Sequence, residues 1–378
     1  MESHIRASNT LEGKSWESLI LGHICQLWRQ IALSTPELWN TIRLTSRGGL
    51  EPACINAFLS RAASLSLSIS VDALNVDPVV LHAALNTIIP HSRNWAHLSI
   101  IGTAEIMRTF QVIHQQLPVL QSLKLDVEPP IFDDTFGTMF QHAPRLRQAH
   151  LYGFGLQRPP SREILSWTPN LVDLILGGVD LVDLPPLPHL QSIIFAHTNL
   201  SIQTDILSRL RAPIRRVKMV VASDLAPFTP PMAHPSSLVE LSVDIISNGF
   251  VASPAIGCLA VLSSVRTLKI TAHDYNPSST NFSLHPLILR LLEDTRFLPA
   301  LESLTIVLLE DSSGIHTPLD SRTLSDMLDV RGLRNFEFLS RRQIPDLDGK
   351  PTEFKAKGMQ IHMKTVPELK FDYRRPEF

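Results

Sequence analysis

The groups from which acid–base or metal chemistry could be built are plentiful: 36 acidic residues, fifteen histidines and three cysteines. Their spacing does not assemble them. Asp133-Asp134 and Glu310-Asp311 are adjacent pairs, which a strand sends to opposite faces, and neither has a second carboxylate at useful spacing for general acid–base work. They read as solvated loop or helix-start charges. No two histidines stand four apart on a helix, and His23, two residues before Cys25, is the nearest approach of an imidazole to a thiol. No G-x-S-x-G, H-E-x-x-H, C-x-x-C or G-x-x-x-x-G-K-[ST] occurs, and Gly153-Phe154-Gly155 lacks the third glycine of a dinucleotide turn. No enzyme activity, metal or cofactor is therefore expected.

Charge and composition exclude further classes. With 34 Lys+Arg against 36 Asp+Glu, no broad field would gather nucleic acid or an anionic membrane, so neither is expected as a partner. At 44% hydrophobic and 19% charged, the chain has ample material for a core. Cys25, Cys54 and Cys258 fit neither a disulfide framework nor a zinc knuckle, and the amino terminus lacks the basic segment and apolar run of a secretory signal. The expected compartment is reducing, cytoplasmic or nuclear, with the sequons at Asn199 and Asn281 unused. From Ile245 to Val265 no side chain is charged for 21 residues, but Ser247, Asn248, Gly249, Ser253, Pro254, Ser263 and Ser264 interrupt the run. It reads as a strand end, a loop and a short helix.

Residues 21 to 44 organise the amino-terminal end. Leu21, Ile24, Cys25, Trp28, Ile31 and Ala32 fall on one stripe of a helix. Ser34-Thr35-Pro36-Glu37 then supplies a helix start, with Ser34 able to cap and Pro36 in the first turn. Trp28 and Trp39 thus belong to two elements joined by a sharp corner. Either ring could simply fill core.

Ile24-Cys25, Trp28-Arg29 and the run Ile31-Ala32-Leu33-Ser34-Thr35-Pro36-Glu37-Leu38-Trp39 resemble the carboxy-terminal half of an F-box of the form common among fungal F-box proteins, and Phe58 to Ile69 resembles the segment that usually follows. Such a box normally opens on a Leu-Pro-x-Glu helix, which the residues before Cys25 do not contain; the chain is then either clipped, or carries a box reduced to an end cap. The resemblance implies binding to the Skp-type adaptor of a cullin-RING ubiquitin ligase, with Leu21, Ile24, Cys25, Trp28, Leu38 and Trp39 at the contact.

The rest of the chain repeats. Trp39-x-x-Ile42-x-Leu44 returns with first positions at Trp95, Leu120, Leu146, Leu171, Leu190, Ile214, Leu238, Val265, Leu301 and Leu333, making eleven copies with steps from 95 onward of 19 to 36 residues. Leu65, Leu67, Ile69 and Val71 fill the wide gap after the first copy by strict alternation. Proline stands two residues before the first position at 118, 144, 169, 188 and 299, where it can end a preceding helix. Helical stretches are expected at 77–89, 104–116, 161–167, 201–210, 285–295 and 321–329.

Strand and helix alternating near 25 residues resemble a leucine-rich-repeat solenoid, although the asparagine that normally follows the L-x-L is missing from most copies, so an uneven array with a weak asparagine ladder or none is expected. The fold class expected is α/β: a curved parallel sheet with outer helices, preceded by a partial helical F-box. The expected divisions are 1–44, 45–348 and a cap or tail at 349–378, the last carrying seven Lys/Arg against four acidic residues. Residues between the inward leucines should face outward. That rule selects Lys124, Asp126, His150, Tyr152, Asp173, Arg216, Lys218, Glu240, Asp244 and Lys269 as a surface for a protein substrate, with Glu337 beyond them. Together the halves imply a substrate-recognition subunit of a Skp-cullin-F-box ubiquitin ligase; the alternative is a non-ligase repeat scaffold for protein–protein interaction in which the shortened box only closes the solenoid end. A hydrolase would instead show a deep polar pocket.

Overall fold

The computed structural model describes residues 25–46, 51–110, 117–128, 143–153, 168–178, 184, 187–196, 200–221, 235–245, 259, 262–274, 285–310, 321–340, 347 and 350–365. Leu21, Ile24, His23, Asp133-Asp134, Cys258, the sequon asparagines Asn199 and Asn281, and the expected helix at 161–167 lie outside them. The chain divides into two compact units, residues 1–189 and 190–378.

In the first unit, among the described residues, six strands lie side by side in sequence order, each parallel to the next: β1 (Thr41–Leu44), β2 (Leu67–Asp72), β3 (Trp95–Gly102), β4 (Ser122–Val127), β5 (Gln148–Tyr152) and β6 (Asp173–Gly177). Parallel neighbours need a crossover between them. Helices α2 (Pro52–Ala62), α3 (Pro78–Ile88) and α4 (Ala104–Thr109) supply it after β1, β2 and β3. Helix α1 (Gln26–Ser34) and a short 3-10 turn at Pro36–Leu38 precede β1. Pro52 opens α2, a helix that alternation of the flanking strands did not announce. In α3, Asp77 caps the amino end by accepting from Val79 N–H at 2.8 Å, and Leu81, Ala84, Leu85 and Ile88 bury one stripe.

The second unit repeats the plan. Strands β7 (Ser192–Ala196), β8 (Arg216–Val221), β9 (Glu240–Ile245), β10 (Thr267–Asp274), β11 (Ser303–Glu310), β12 (Asn335–Ser340) and β13 (Gln360–Thr365) are again parallel in sequence order. Helices α5 (Leu200–Arg209), α6 (His285–Glu293), α7 (Ser321–Arg331) and α8 (Pro351–Ala356) connect them, and α6 packs on α7. β13 carries the parallel run past residue 348, into the segment expected as a cap or tail. The chain has an α/β, leucine-rich-repeat-like solenoid fold.

Register shows why the hexads repeat. Their fourth positions align as Ile42, Ile69, Leu98, Leu123, Ala149 and Leu174, and their sixth as Leu44, Val71, Ile100, Leu125, Leu151 and Leu176. In the second unit Val217, Leu241, Leu268, Leu304 and Phe336 form the corresponding row. All of these are buried. Each unit is thus one continuous apolar spine, built because no single strand–helix unit can enclose its own leucines. The bulge in the pairing of β2 with β3, where Leu67 faces Trp95 and Ser68 faces His97, explains why β2 alternates strictly while β3 keeps the two-residue gap of the hexad.

Four of the prolines open the turns that feed the strands. Leu120, Leu146, Leu171 and Leu301 donate their N–H to the carbonyls of Leu117, Ala143, Thr168 and Leu298 at 3.1–3.3 Å, so Pro118, Pro144, Pro169 and Pro299 occupy the second position of a tight turn that feeds the strand. Successive turns are tied by side chains: Asn170 to Pro144 O at 2.9 Å, Ser237 to Ile214 O at 2.9 Å and Ser264 to Leu238 O at 2.7 Å.

Candidate functional site

Three adjacent strands of the first unit bring five of the selected residues together. Lys124 on β4 stands opposite His150 on β5, and Asp126 opposite Tyr152. Gln148 stands opposite Asp173 on β6, with Gln148 Nε2 at 3.4 Å from Asp173 Oδ2. Lys124, Asp126, His150 and Asp173 are half-buried, offering side-chain edges to solvent. Burial pushes the His150 imidazole down to about 4, the Lys124 ammonium adds to that, and Asp173 opposes it. At neutral pH the ring is therefore uncharged, with a nitrogen free of proton for accepting a hydrogen bond.

Tyr152 differs from its neighbours: at 7% exposure it is enclosed. Its ring lies over Gly177 on β6, whose missing side chain makes the room, since a Cβ there would overlap Tyr152 Cδ1 and Cε1. Tyr152 is accordingly a wall of the cluster more than a free docking group. The same register places Arg43, Ser70 and Ser99 on the row of Lys124 and His150; the two serines are small polar residues that carry no signal by themselves.

The second cluster lies on β8, β9 and β10. Arg216 and Glu240 are opposite each other and paired, Nε to Oε2 at 2.8 Å, with side chains 45% and 42% exposed. Lys218 reaches Asp244 at 3.0 Å, and here the side chains are only 11% and 4% exposed. Asp244 Oδ1 and, across on β10, Thr271 Oγ1 are buried without a hydrogen-bond partner among the described residues. Lys269, half-buried, lies between Ser242 and Thr305. The outward rule holds for side, but Lys218 and Asp244 are enclosed and so are not the open surface groups expected of them. Around them Ile194, Val220 and Thr271 are also buried, at 1%, 7% and 0%.

Helix α1 presents a third feature. Of the described members of the expected stripe, Cys25, Trp28 and Ile31 are exposed, the last two at 45% and 43%, and Ala32 is buried at 1%; beside them Leu27 and Leu33 are 63% and 48% exposed. Trp39 behaves oppositely. It is 2% exposed, its Nε1 donates to Ala32 O at 2.6 Å, its ring meets Phe58 edge-on at 5.0 Å, and the Arg61 guanidinium lies 4.2 Å above it. Trp39 is core, so it cannot offer its ring to an adaptor as expected; Leu38 is half-buried. Ser34 is not a cap for the following turn. Its hydroxyl, like that of Thr35, bonds back to Ile31 O, at 3.1 and 2.7 Å, and closes the end of α1.

Among the described residues no group of three or more His, Cys, Asp or Glu could hold a metal ion, and no helix is long and apolar enough to cross a membrane. What the arrangement offers is a broad polar sheet face and an apolar helix face, each suited to non-covalent contact. This defines a repeat solenoid of the leucine-rich type.

The chain matches no protein-family model and no curated protein. Among solved structures it is similar to an internalin from Listeria monocytogenes, at 14% identity and TM-score 0.30 over 77% of this chain and 79% of that one. It is also similar to TLR13 in its complex with ssRNA13, at 14% identity and TM-score 0.35 over 83% of this chain, spanning 53% of that one. The fold rests on strand order and register within each unit rather than on these likenesses.

Proposed function

We propose that the chain is a substrate receptor of a Skp-cullin-F-box ubiquitin ligase, with α1 meeting the adaptor and the outward sheet face holding a protein substrate. The observation that carries this reading is the exposed face of α1. Leu27, Trp28 and Ile31 lie on one side of α1 as an exposed apolar patch that a freestanding protein gains nothing by showing to water, and such patches mark protein contacts. The segment is the one whose sequence resembles the F-box, and Cys25 and Trp28, two of the residues that resemblance assigns to the adaptor, are exposed on it. The ligase contribution is proximity: a target held on the solenoid raises the local concentration of its lysines near a transferase carried by other subunits.

The scaffold reading treats α1 as an end cap, for which the exposed Gln26, Arg29 and Gln30 would be the outward polar side. Titration of the full chain with a purified Skp-type adaptor tests the proposal. Binding that is lost in Trp28→Ala, with the fold intact by circular dichroism, is the expected result. No binding by the full chain, or binding indifferent to Trp28, leaves the scaffold.

A further inference from the structure

In the second unit the residue just ahead of each strand from β8 to β12 stacks on the residue just ahead of the next. Val239 N–H donates to Arg215 O, Arg266 N–H to Val239 O, Glu302 N–H to Arg266 O and Arg334 N–H to Glu302 O, each at 2.8 Å. Arg215, Val239, Arg266, Glu302 and Arg334 therefore form one row across the entry end of the sheet, and all but the half-buried Glu302 are exposed. The backbone does not ask for arginine there: the same position in the first unit is held by Ala96, Gln121, Arg147 and Val172. Charge in the row is only partly matched. Glu302 lies between two guanidiniums, 3.5 Å from Arg266 and 3.4 Å from Arg334, whose side chains are 62% and 76% exposed. At those lengths one carboxylate steadies two cations without occupying their N–H forks. Arg215 makes no ion pair among the described residues, and the neighbouring Glu240 is held by Arg216.

The spacing of the row selects a ligand. Strands lie about 4.8 Å apart, so Arg215, Arg266 and Arg334, each two strands from the next, follow one another at about 10 Å. A polyproline-type extended chain rises about 3.1 Å per residue with three residues per turn, and so presents every third side chain on one side about 9.3 Å apart. Acidic residues at every third position would meet the three guanidiniums in turn. An apolar residue between the first two would lie on Val239, itself 39% exposed. A nucleic acid fits less well, because Glu302 breaks the row with a negative charge and no aromatic ring stands in it for a base to stack on. We propose that this row is a docking surface for an acidic, extended segment of a partner protein with Asp or Glu at every third residue. The surface is separate from α1 and stands whether or not α1 meets an adaptor.

Fluorescence anisotropy with the full chain and a labelled synthetic peptide of repeated Glu-Pro-Ala, at low salt, tests this. Saturable binding is expected, weakened on the order of tenfold in an Arg266→Gln, Arg334→Gln variant and comparably by Val239→Asp, which sets a second carboxylate into the row. These positions are exposed, so the fold should survive, and unchanged circular dichroism and melting check that it does. A peptide of the same composition with its glutamates in one block should bind several-fold more weakly. No saturable binding overturns the proposal, as does equal binding of the two peptides or binding indifferent to the substitutions. An oligouridylate that binds more tightly than the repeat peptide, and loses that binding in the double variant, also overturns it, because the row would then serve a nucleic acid.

Discussion

The outward faces of β4–β6 and of β8–β10 carry the same kinds of residue in different cross-strand registers. On β8–β10 each of two cations meets its carboxylate within the sheet: Arg216 with Glu240 and Lys218 with Asp244 at 2.8 and 3.0 Å. On β4–β6 the register puts cation against imidazole and acid against phenol, Lys124 opposite His150 and Asp126 opposite Tyr152. An enclosed ion pair is committed to the fold, whereas the half-buried Lys124, Asp126, His150 and Asp173 keep side-chain edges at the solvent boundary. Composition of a face therefore does not define a docking site; the pairing across strands does.

The sharpest break in the comparison comes at Asp244. Replacing it with Ala leaves the Lys218 ammonium enclosed beside Val220 with its carboxylate removed, and should cost about 3–5 kcal/mol in denaturant unfolding. A Lys218→Met, Asp244→Leu double variant should recover most of that loss. A single-variant cost below about 1 kcal/mol would show that the pair behaves as surface charge, and the contrast would collapse.

His150 distinguishes the other face by its pH dependence. Its folded-state value, about 4, lies below the ordinary 6.5, so as pH falls the unfolded chain takes up the proton first. Stability contributed here is unchanged above pH 6.5, falls between 6.5 and about 4, and levels off below, with a loss of up to about 3 kcal/mol. His150→Gln should flatten that part of the stability curve relative to the parent. Equal slopes would mean that the ring is well solvated.

Two smaller effects refine the picture. Gly177→Ala should force the Tyr152 ring off β6 at a cost of about 1–2 kcal/mol, seen as a lowered denaturation midpoint and altered tyrosine fluorescence. Arg216→Ala should change stability by no more than about 1 kcal/mol, and its effect should shrink further with added salt, because both partners are substantially exposed.

The spine was legible in the sequence because its signal is local. Every hexad places its inward residues within six positions, and the observed register stacks Leu98, Leu123, Ala149 and Leu174 as that spacing requires. β13 escaped because Gly358 stands where a hexad would begin, and α2 because its apolar residues sit beside alternating ones that dominate the pattern. The site was less legible. Lys124, His150 and Asp173 could be assigned to one face by parity, but which group each one faces depends on residues about 25 positions away on the next strand, which the sequence does not pair. The two tryptophans make the same point: Trp28 and Trp39 sit in one motif, and only the packing of Phe58 and Arg61 around Trp39 decides which of them is core.

The account stands most directly on where a partner touches the solenoid. A photo-reactive side chain placed at Lys124, and in separate chains at Asp173, Arg216 and Arg322 on α7, would map that contact in cells. The account predicts that one protein is captured from both Lys124 and Asp173 and that its capture falls when His150 is replaced by Ala. Capture only from Arg216 or Arg322, with nothing at Lys124 and Asp173, would contradict it.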